Sequence, residues 1–223
     1  LGTTTSGKVT ATIATTETLT ELATLNADGG ANDLTIAIRA EDDTATAEQL
    51  NAIDAATSLA VDARAVTELS GSYSDLVTLY GSSGVTGLEN ENITITGGSL
   101  TVTQANVIDA LTTGVVTASI ATTETVDSLK TLTGTSNAYT IVISETSASA
   151  SDLNAINDLT TATVDLTNVQ SVTSSALSDL DTLSTAINAS PAQFINATNL
   201  ETSAVSDSAV SYTHLTLPTI YSV

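Results

Sequence analysis

An internal duplication constrains the fold of this chain more than any other feature. Residues 9–25, VTATIATTETLTELATL, return as residues 116–132, VTASIATTETVDSLKTL, with 12 of 17 positions identical at an offset of 107 residues. Shorter pairs recur at similar offsets, namely TIAI and TIVI (35–38 and 140–143), LNAI twice (50–53 and 153–156), and SDLVTL and SDLDTL (74–79 and 178–183). These copies indicate duplication of a unit of about 105 residues and predict a repeat architecture.

The composition favours thin, regular layers of aliphatic side chains over a large irregular core. Hydrophobic residues make up 41% of the chain but aromatic residues only 3%, with Phe194 as the single phenylalanine and no Trp, Met or Cys. Large cores generally use aromatic rings to fill their centre. A core of Leu, Ile, Val and Ala therefore indicates an array in which each repeat packs on its neighbours.

The charge excludes one class of partner and indicates a location. The chain carries 25 Asp and Glu against four Lys and Arg, for a formal net charge of -21. Contact with nucleic acid needs a basic surface, because an acidic chain is repelled by phosphate groups. The same charge repulsion disfavours binding to anionic membranes. An acidic, Cys-free, Thr/Ser-rich chain suits a secreted or cell-surface protein in salty water. No window reaches the roughly 18 apolar residues that a membrane span needs.

The two ends of the sequence are interpreted as an internal start and a foreign tail. The chain opens LGTTTSGK, without an initiating Met or a signal peptide, which predicts a fragment of a longer protein. Residues 210–223, VSYTHLTLPTIYSV, break the pattern and hold the only histidine, His214. Their first ten residues back-translate, with permitted codons, into the mosaic-end adapter of a transposase-based sequencing library. We therefore interpret 210–223 as a non-native tail.

Short β-branched runs predict seven strands that follow one another at intervals of about 25 residues. They are Val9–Ile13, Leu34–Ile38, Leu59–Ala63, Asn92–Thr96, Val115–Ile120, Tyr139–Ile143 and Thr163–Leu166. One longer step, from Leu59 to Asn92, interrupts this spacing. The Gly/Ser-rich insertion within it, residues 81–91, has no internal counterpart and is predicted to be a loop.

Seven helices are predicted between the strands, because Leu, Ile and Val lie three and four residues apart after a Ser- or Thr-rich start. They are Leu19–Leu25, Ala47–Ala56, Ser74–Tyr80, Thr103–Leu111, Val126–Leu132, Ser151–Leu159 and Ala176–Leu183. Three helix starts are expected to be capped by side-chain oxygens, from Thr46, from Thr101 or Thr103, and from Ser149 or Ser151. Helices this short need packing against neighbours to be stable.

Alternating parallel strands and helices predict an α/β solenoid of about 25 residues per turn. Its roughly seven turns are expected to span residues 1–187, followed by an irregular or weakly helical end at 188–209. A right-handed parallel β-helix is the main alternative, in which the short helices become extra strands and turns. A doubly wound globular sheet is a third interpretation.

The residues needed for common catalytic chemistry are missing, so the sequence predicts neither an enzyme nor a cofactor. With His214 set aside there is no histidine to act as a general base, and there is no Cys for a zinc site. Neither GxxxxGK[ST] nor GxGxxG occurs, so nothing marks a nucleotide site. Paired carboxylates can act as acid and base, but Glu41, Asp42 and Asp43 are interpreted as a solvated acidic turn.

Calcium is the one ligand that the sequence leaves open, because calcium binds oxygen donors. The stretch NADGGAND at 26–33 offers Asn26, Asp28, Asn32 and Asp33 around two glycines. It lacks the ligand spacing and the closing Glu of a calcium loop. A turn between a helix and a strand is therefore the other interpretation.

Two further sets of polar residues are not assigned to a functional site. Asp54, Asp109 and Asn157 each follow an Ile in a helix and are expected to face solvent. Arg39 and Arg64 follow strands and are expected to neutralise nearby carboxylates.

Two long stretches resemble tandem repeats of very large surface or secreted proteins of marine bacteria, cyanobacteria in particular. They are LNAIDAATSLAVDARAVTELSGSYSDL (50–76) and ASDLNAINDLTTATVDLTNVQSVTSSALSDL (150–180). The resemblance covers roughly residues 9–185 and implies a surface-exposed repeat array without known catalytic residues. The sequence therefore predicts a non-enzymatic structural or adhesive segment, with neighbouring repeats and surface glycans or other cells as partners. A calcium-stabilised secreted module and a phage fibre segment are the alternatives.

Overall fold

The computed structural model describes residues 7–25, 32–134, 136–173, 175–198 and 200–202. Fourteen short strands and seven helices lie along this part of the chain. The strands are β1 (Thr10–Thr12), β2 (Asp33–Thr35), β3 (Thr44–Thr46), β4 (Val61–Asp62), β5 (Glu68–Gly71), β6 (Val85–Thr86), β7 (Asn92–Ile95), β8 (Val116–Ser119), β9 (Ala138–Val142), β10 (Ser147–Ala148), β11 (Val164–Asp165), β12 (Ser171–Val172), β13 (Phe194–Ile195) and β14 (Glu201–Thr202). The helices are α1 (Leu19–Leu22), α2 (Ala47–Ala55), α3 (Tyr73–Gly81), α4 (Val102–Asp109), α5 (Val126–Leu129), α6 (Ala150–Asn157) and α7 (Leu177–Ile187).

The strands pair in parallel and form a seven-stranded sheet with three smaller sheets. The large sheet has the order β13-β11-β9-β8-β7-β5-β3, and the others have the orders β10-β12-β14, β1-β2 and β4-β6. Thr44 lies opposite Glu68, and Glu68 lies opposite Asn92, 24 residues further along the chain. We call the residues from one strand to its register partner on the adjacent strand of the same sheet a module.

The chain divides into two compact units, and the first comprises Leu1–Ser99 and Val107–Ala118. Within it, α2 packs against α3 and against β3 and β5. Leu50 and Ile53 of α2, Leu76 of α3 and Leu69 of β5 are at most 2% exposed. Leu50 and Ile53 lie three residues apart and therefore share one helix face. Burial of each such side chain contributes about 1.5–3 kcal/mol.

The second unit comprises Leu100–Asn106 and Ser119–Val223. Within it, α6 packs against α5 and α7. Leu153 and Ile156 of α6 are fully buried with Ile141 of β9 and with Tyr139, the largest fully buried side chain. The Tyr139 hydroxyl accepts a hydrogen bond from Asn137 Nδ2 at 3.0 Å, which satisfies its polar tip inside the core.

Hydroxyl side chains fix where most of the helices begin. Thr18, Thr46, Ser72, Thr125 and Ser149 precede α1, α2, α3, α5 and α6, and each accepts a hydrogen bond from the N–H three residues further on. Thr101 Oγ1 does the same before α4, accepting from Gln104 N at 3.2 Å. These caps satisfy amides that have no partner within the helix. The prediction of Thr46 is confirmed, and the structure selects Thr101 and Ser149 from the two open pairs.

The predicted elements are all present, but the sequence missed half of the strands. Each of the seven predicted helices and seven predicted strands overlaps an observed one. The unpredicted strands are β3, β5, β6, β10, β12, β13 and β14. Most of them have only two residues, which is too short to display an alternating pattern. One module therefore generally contains two strands and a helix, where the sequence predicted one strand and a helix.

Two predicted irregular segments contain strands. The insertion at 81–91 holds β6, whose Val85 lies opposite Val61 of β4, so the loop prediction is wrong there. β6 also supplies the strand that the longer step from Leu59 to Asn92 lacked. The described part of 188–209 is irregular apart from the two-residue strands β13 and β14 and contains no helix. The tail at 210–223, with His214, lies outside the described residues.

The helices and strands bear on the predicted fold class and on the question of a membrane span. The α/β class is confirmed, and the seven helices contradict the β-helix alternative, in which those segments would be strands and turns. Among the described residues, no helix has the length and apolar character needed to cross a bilayer.

Candidate functional site

The most regular polar feature of the structure is a set of side chains that cap a helix belonging to the preceding part of the chain. Four helices donate their first N–H to such a side chain. The pairs are Leu19 N to Asp42 Oδ2 at 2.8 Å, Val102 N to Glu124 Oε1 at 3.2 Å, Val126 N to Glu145 Oε1 at 2.7 Å, and Ala150 N to Ser175 Oγ at 2.9 Å. The first amides of a helix have no partner within it and carry partial positive charge, so a carboxylate there is stabilising. We call these four side chains the downstream caps.

Asp42 is the downstream cap with the strongest electrostatic support. Its two oxygens accept from Arg39 Nε at 2.9 Å and Arg39 Nη2 at 3.0 Å, in a bidentate geometry. The Arg39 guanidinium holds the pKa of Asp42 below its usual range, although partial burial opposes this shift. The Asp42 side chain is only 15% exposed, so its interpretation as part of a solvated turn is wrong. Glu41 and Asp43, its neighbours, are exposed.

Asparagine side chains join consecutive helical segments in the same direction. The Nδ2 groups of three asparagines donate to backbone carbonyl oxygens 24 or 25 residues further on. The pairs are Asn51 to Asp75 O at 3.0 Å, Asn106 to Thr131 O at 2.8 Å, and Asn154 to Asp179 O at 3.0 Å. Asn106 Oδ1 also accepts from Thr133 N at 2.9 Å, whereas the buried Asn154 Oδ1 has no partner among the described residues. The three positions are equivalent, because each is the fifth residue after a helix cap.

Buried threonines fix the chain where it leaves a helix. Thr57, Thr112 and Thr160 are at most 9% exposed, and each hydroxyl donates to a backbone carbonyl more than 20 residues earlier. Each hydroxyl also accepts from the N–H two residues further on. Such hydroxyls replace backbone partners that an irregular segment lacks. They bind each helix exit to the preceding module.

Glu91 is the one buried carboxylate among the described residues of the first unit. It is 0% exposed, and its oxygens accept from the Tyr80 hydroxyl at 2.8 Å and from Glu89 N at 2.8 Å. Burial, together with this hydrogen bond to Glu91, raises the pKa of Tyr80. The backbone of Glu91 also packs closely against Gly114, since a Cβ on Gly114 would lie 2.3 Å from Glu91 O. The Tyr80–Glu91 pair therefore holds the insertion at 81–91 in place.

The predicted solvent-facing helix series contacts the next part of the chain. Asp54 Oδ2 accepts from Ser82 Oγ at 2.7 Å, and Asn157 Nδ2 donates to Gln193 Oε1 at 2.9 Å. Asp54, Asp109 and Asn157 are all half-buried. The expectation that these three face solvent is wrong, because all three are half-buried and the side chains of Asp54 and Asn157 bind residues that follow their helices. Arg39 and Arg64 pair with Asp42 and Asp62 as expected, the second pair at 3.6 Å and exposed.

The candidate calcium stretch is described only in part. Asn26 and Asp28 lie outside the described residues. Asn32 is 3% exposed and its Oδ1 accepts from Val9 N at 3.0 Å, while Asp33 pairs with Lys8 and accepts from Ser58. The Lys8 ammonium and the Ser58 hydroxyl hold the pKa of Asp33 below its usual range. Within the described residues no three His, Cys, Asp or Glu side chains form a group that could hold a metal ion, and calcium stays a prediction.

Two open grooves lie near the start of the described chain. One, of about 540 Å³, is lined by residues 15–16 and 38–41, and the other, of about 320 Å³, by residues 11–14 and by Glu17, Glu21, Leu22 and Leu25. Neither groove is lined by a histidine, a cysteine or a lysine. Comparison of the chain with protein-family models, with curated proteins and with solved structures gives no significant match. The geometry of the site is therefore the basis for a functional proposal.

Proposed function

We propose that this chain is a non-enzymatic structural segment of a repeat array, arranged as an α/β solenoid and exposed outside the cell. The observation that carries the proposal is the use of polar side chains to bind backbone about one module away. Asp42, Glu124 and Glu145 cap helices, Asn51, Asn106 and Asn154 bind carbonyl groups, and Thr57, Thr112 and Thr160 bind helix exits. Side chains that could bind a ligand are thereby committed to holding modules together.

The regular register supports the solenoid arrangement. Thr10 pairs with Asp33, Thr44 with Glu68, and Ser147 with Ser171, each at one module's separation. In a solenoid each repeat contacts only its neighbours, so contacts recur at one fixed separation along the chain. The hydrogen bonds that the downstream caps accept span 19 to 25 residues, close to the 23 or 24 residues between these register partners.

The charge balance supports an extracellular location. Each of the four basic side chains forms an ion pair within the described residues. Most of the 25 acidic residues therefore have no cation to pair with. Half-buried Glu124 and Glu145 bind helix amides, an arrangement that salt weakens less than exposed ion pairs. A fold held in this way suits a saline exterior, where neighbouring repeats and surface glycans are the expected partners.

A single-molecule pulling experiment on the full chain tests the proposed solenoid arrangement. A solenoid is expected to extend in successive steps, and one module of 24 residues releases roughly 8 nm of chain. A single event that releases the whole described region at once would contradict the solenoid proposal. Turnover of a polysaccharide or peptide substrate by the purified chain would contradict the non-enzymatic proposal.

A further inference from the structure

The internal duplication contains its own control for one exposed surface. Val9, Ala11, Ile13 and Leu25 are partly exposed in the first copy. Their counterparts in the second copy, Val116, Ala118, Ile120 and Leu132, are at most 5% exposed. The compared positions hold the same residue in both copies, so the difference in burial comes from what lies against them. We call the partly exposed surface formed by Val9, Ala11, Ile13, Glu17 and Leu25 the first-copy face.

The structure shows what covers the corresponding surface of the second copy. Val116 lies opposite Ile93 of β7, and Ile120 forms a parallel bridge with Leu100. Glu124, the counterpart of Glu17, accepts the first N–H of α4, from Val102. The covering element is therefore a parallel strand followed by a helix, and its first amide is bound by a glutamate.

The first-copy face lacks each of these partners within the described residues. β1 is paired there on one side only, with β2. The groove of about 320 Å³ is lined by Ala11, Ile13, Glu17 and Leu25 among others. The Glu17 carboxylate has no hydrogen-bond or ion-pair partner in the described part of the chain. Within the described residues, apolar side chains, a strand edge without a partner and a carboxylate without a partner thus occur in the arrangement that receives β7 and α4 in the second copy.

We propose that the first-copy face is a docking surface for one more strand–helix module of the type formed by residues 92–109. Its strand would pair with β1, its apolar face would fill the groove, and Glu17 would accept the first N–H of its helix. The partner is thus a preceding module of the same repeat, and exchange in 9–25 that stays unchanged after such a module is supplied would instead favour another occupant, such as a glycan or an unrelated protein. The inference deepens the proposed array role and rests on it.

The test grafts residues 85–113 in front of Gly7, because Gly7 is the counterpart of Gly114, and measures amide hydrogen exchange. In the parent chain, residues 9–25 are expected to exchange faster than residues 116–132. The graft is expected to slow exchange in 9–25 by about tenfold or more, since it buries the apolar surface. Equal protection of the two copies in the parent, or unchanged exchange after grafting, overturns the proposal.

A matched pair of variants isolates the role of Glu17. Glu17→Ala is expected to speed exchange of 9–25 in the grafted chain and to leave the parent unchanged. Glu124→Ala is expected to speed exchange of 116–132 in both chains, because its partner is present in both. An effect of Glu17→Ala that is the same in both chains overturns the proposed contact. These outcomes do not depend on the pulling experiment, so the array role and the docking surface can fail separately.

Discussion

The Glu145 carboxylate accepts a hydrogen bond from Val126 N at 2.7 Å. Glu145 lies 19 residues further along the chain than the helix that it caps. This bond satisfies the first amide of α5, a helix of only four residues. A helix of that length has no stability of its own in water, because nucleation costs more than one turn returns. The stability of α5 therefore depends on the module that follows it.

Removal of this carboxylate tests the downstream caps. Glu145→Ala is expected to lower the free energy of unfolding by about 1 kcal/mol, the usual effect of losing a helix cap. Glu41→Ala is the matched control, because Glu41 is exposed and caps none of the helices in the described part of the chain. Urea unfolding of both variants gives the comparison. Equal effects of the two substitutions would show that the cap contributes nothing specific.

The Arg39–Asp42 pair predicts a loss of stability in acid. The folded-state pKa of Asp42 is depressed, so its contribution is fully present above the unfolded pKa of about 3.9 and is lost as pH falls through the folded pKa. Asp42→Asn is therefore expected to destabilise the protein at neutral pH, with a difference from wild type that shrinks below about pH 4. Thermal melting across this pH range measures it. Asp43→Asn, at an exposed neighbour, is the control for stability at neutral pH, and an equal loss of stability in both variants would refute the assignment.

The buried Tyr80–Glu91 hydrogen bond predicts a cost for a small substitution. Tyr80→Phe removes the donor to Glu91 Oε2 and leaves a buried carboxylate oxygen unsatisfied, which costs about 1–3 kcal/mol. Tyr73→Phe serves as the control, because no hydrogen bond of the Tyr73 hydroxyl occurs among the described residues. Denaturant unfolding should separate the two variants. A Tyr80→Phe protein as stable as wild type would mean that water replaces the hydroxyl.

The asparagine series predicts unequal effects at equivalent positions. Asn106 makes hydrogen bonds to Thr131 O, Thr133 N and Thr133 Oγ1, whereas Asn154 makes one to Asp179 O and keeps a buried, unpaired Oδ1. Asn106→Leu is therefore expected to destabilise the protein by about 1 kcal/mol or more beyond the effect of Asn154→Leu. Paired urea titrations test the order. A reversed order would require an ordered water at Asn154 Oδ1.

The close approach of Gly114 to Glu91 predicts a steric limit. A Cβ at Gly114 would lie 2.3 Å from Glu91 O and 2.9 Å from Asn92 N, both backbone atoms that cannot move independently. Gly114→Ala is expected to cost more than about 2 kcal/mol. Gly81→Ala is the control, because nothing lies within 4 Å of its added Cβ and alanine favours the helix that ends there. Thermal unfolding should therefore move in opposite directions for the two variants.

The helices could be predicted from the sequence because their buried residues repeat three and four apart, as Leu50 and Ile53 do. The strands β6 and β10 could not, because two residues carry no alternation and their pairing partners lie about 24 residues away. The hydrogen bonds between modules could not be predicted for the same reason, because their partners lie about as far apart in the sequence. Glu145 reads in sequence as one more surface acid, and only the register places it beside Val126 N. The repeated Asn of LNAI was the one visible signal of a linking residue, since a helix surface does not require asparagine.

The downstream caps give the chain a direction in time. Asp42, Glu124, Glu145 and Ser175 all follow the helix that they complete. A ribosome makes the chain from its N-terminus, and domains fold as they emerge. The helices α1, α4, α5 and α6 therefore satisfy their first amide only after the next stretch of chain has been synthesised. During synthesis, each of these helices therefore gains its last cap one stretch of chain later than its own residues, and each newly made stretch completes the helix made before it.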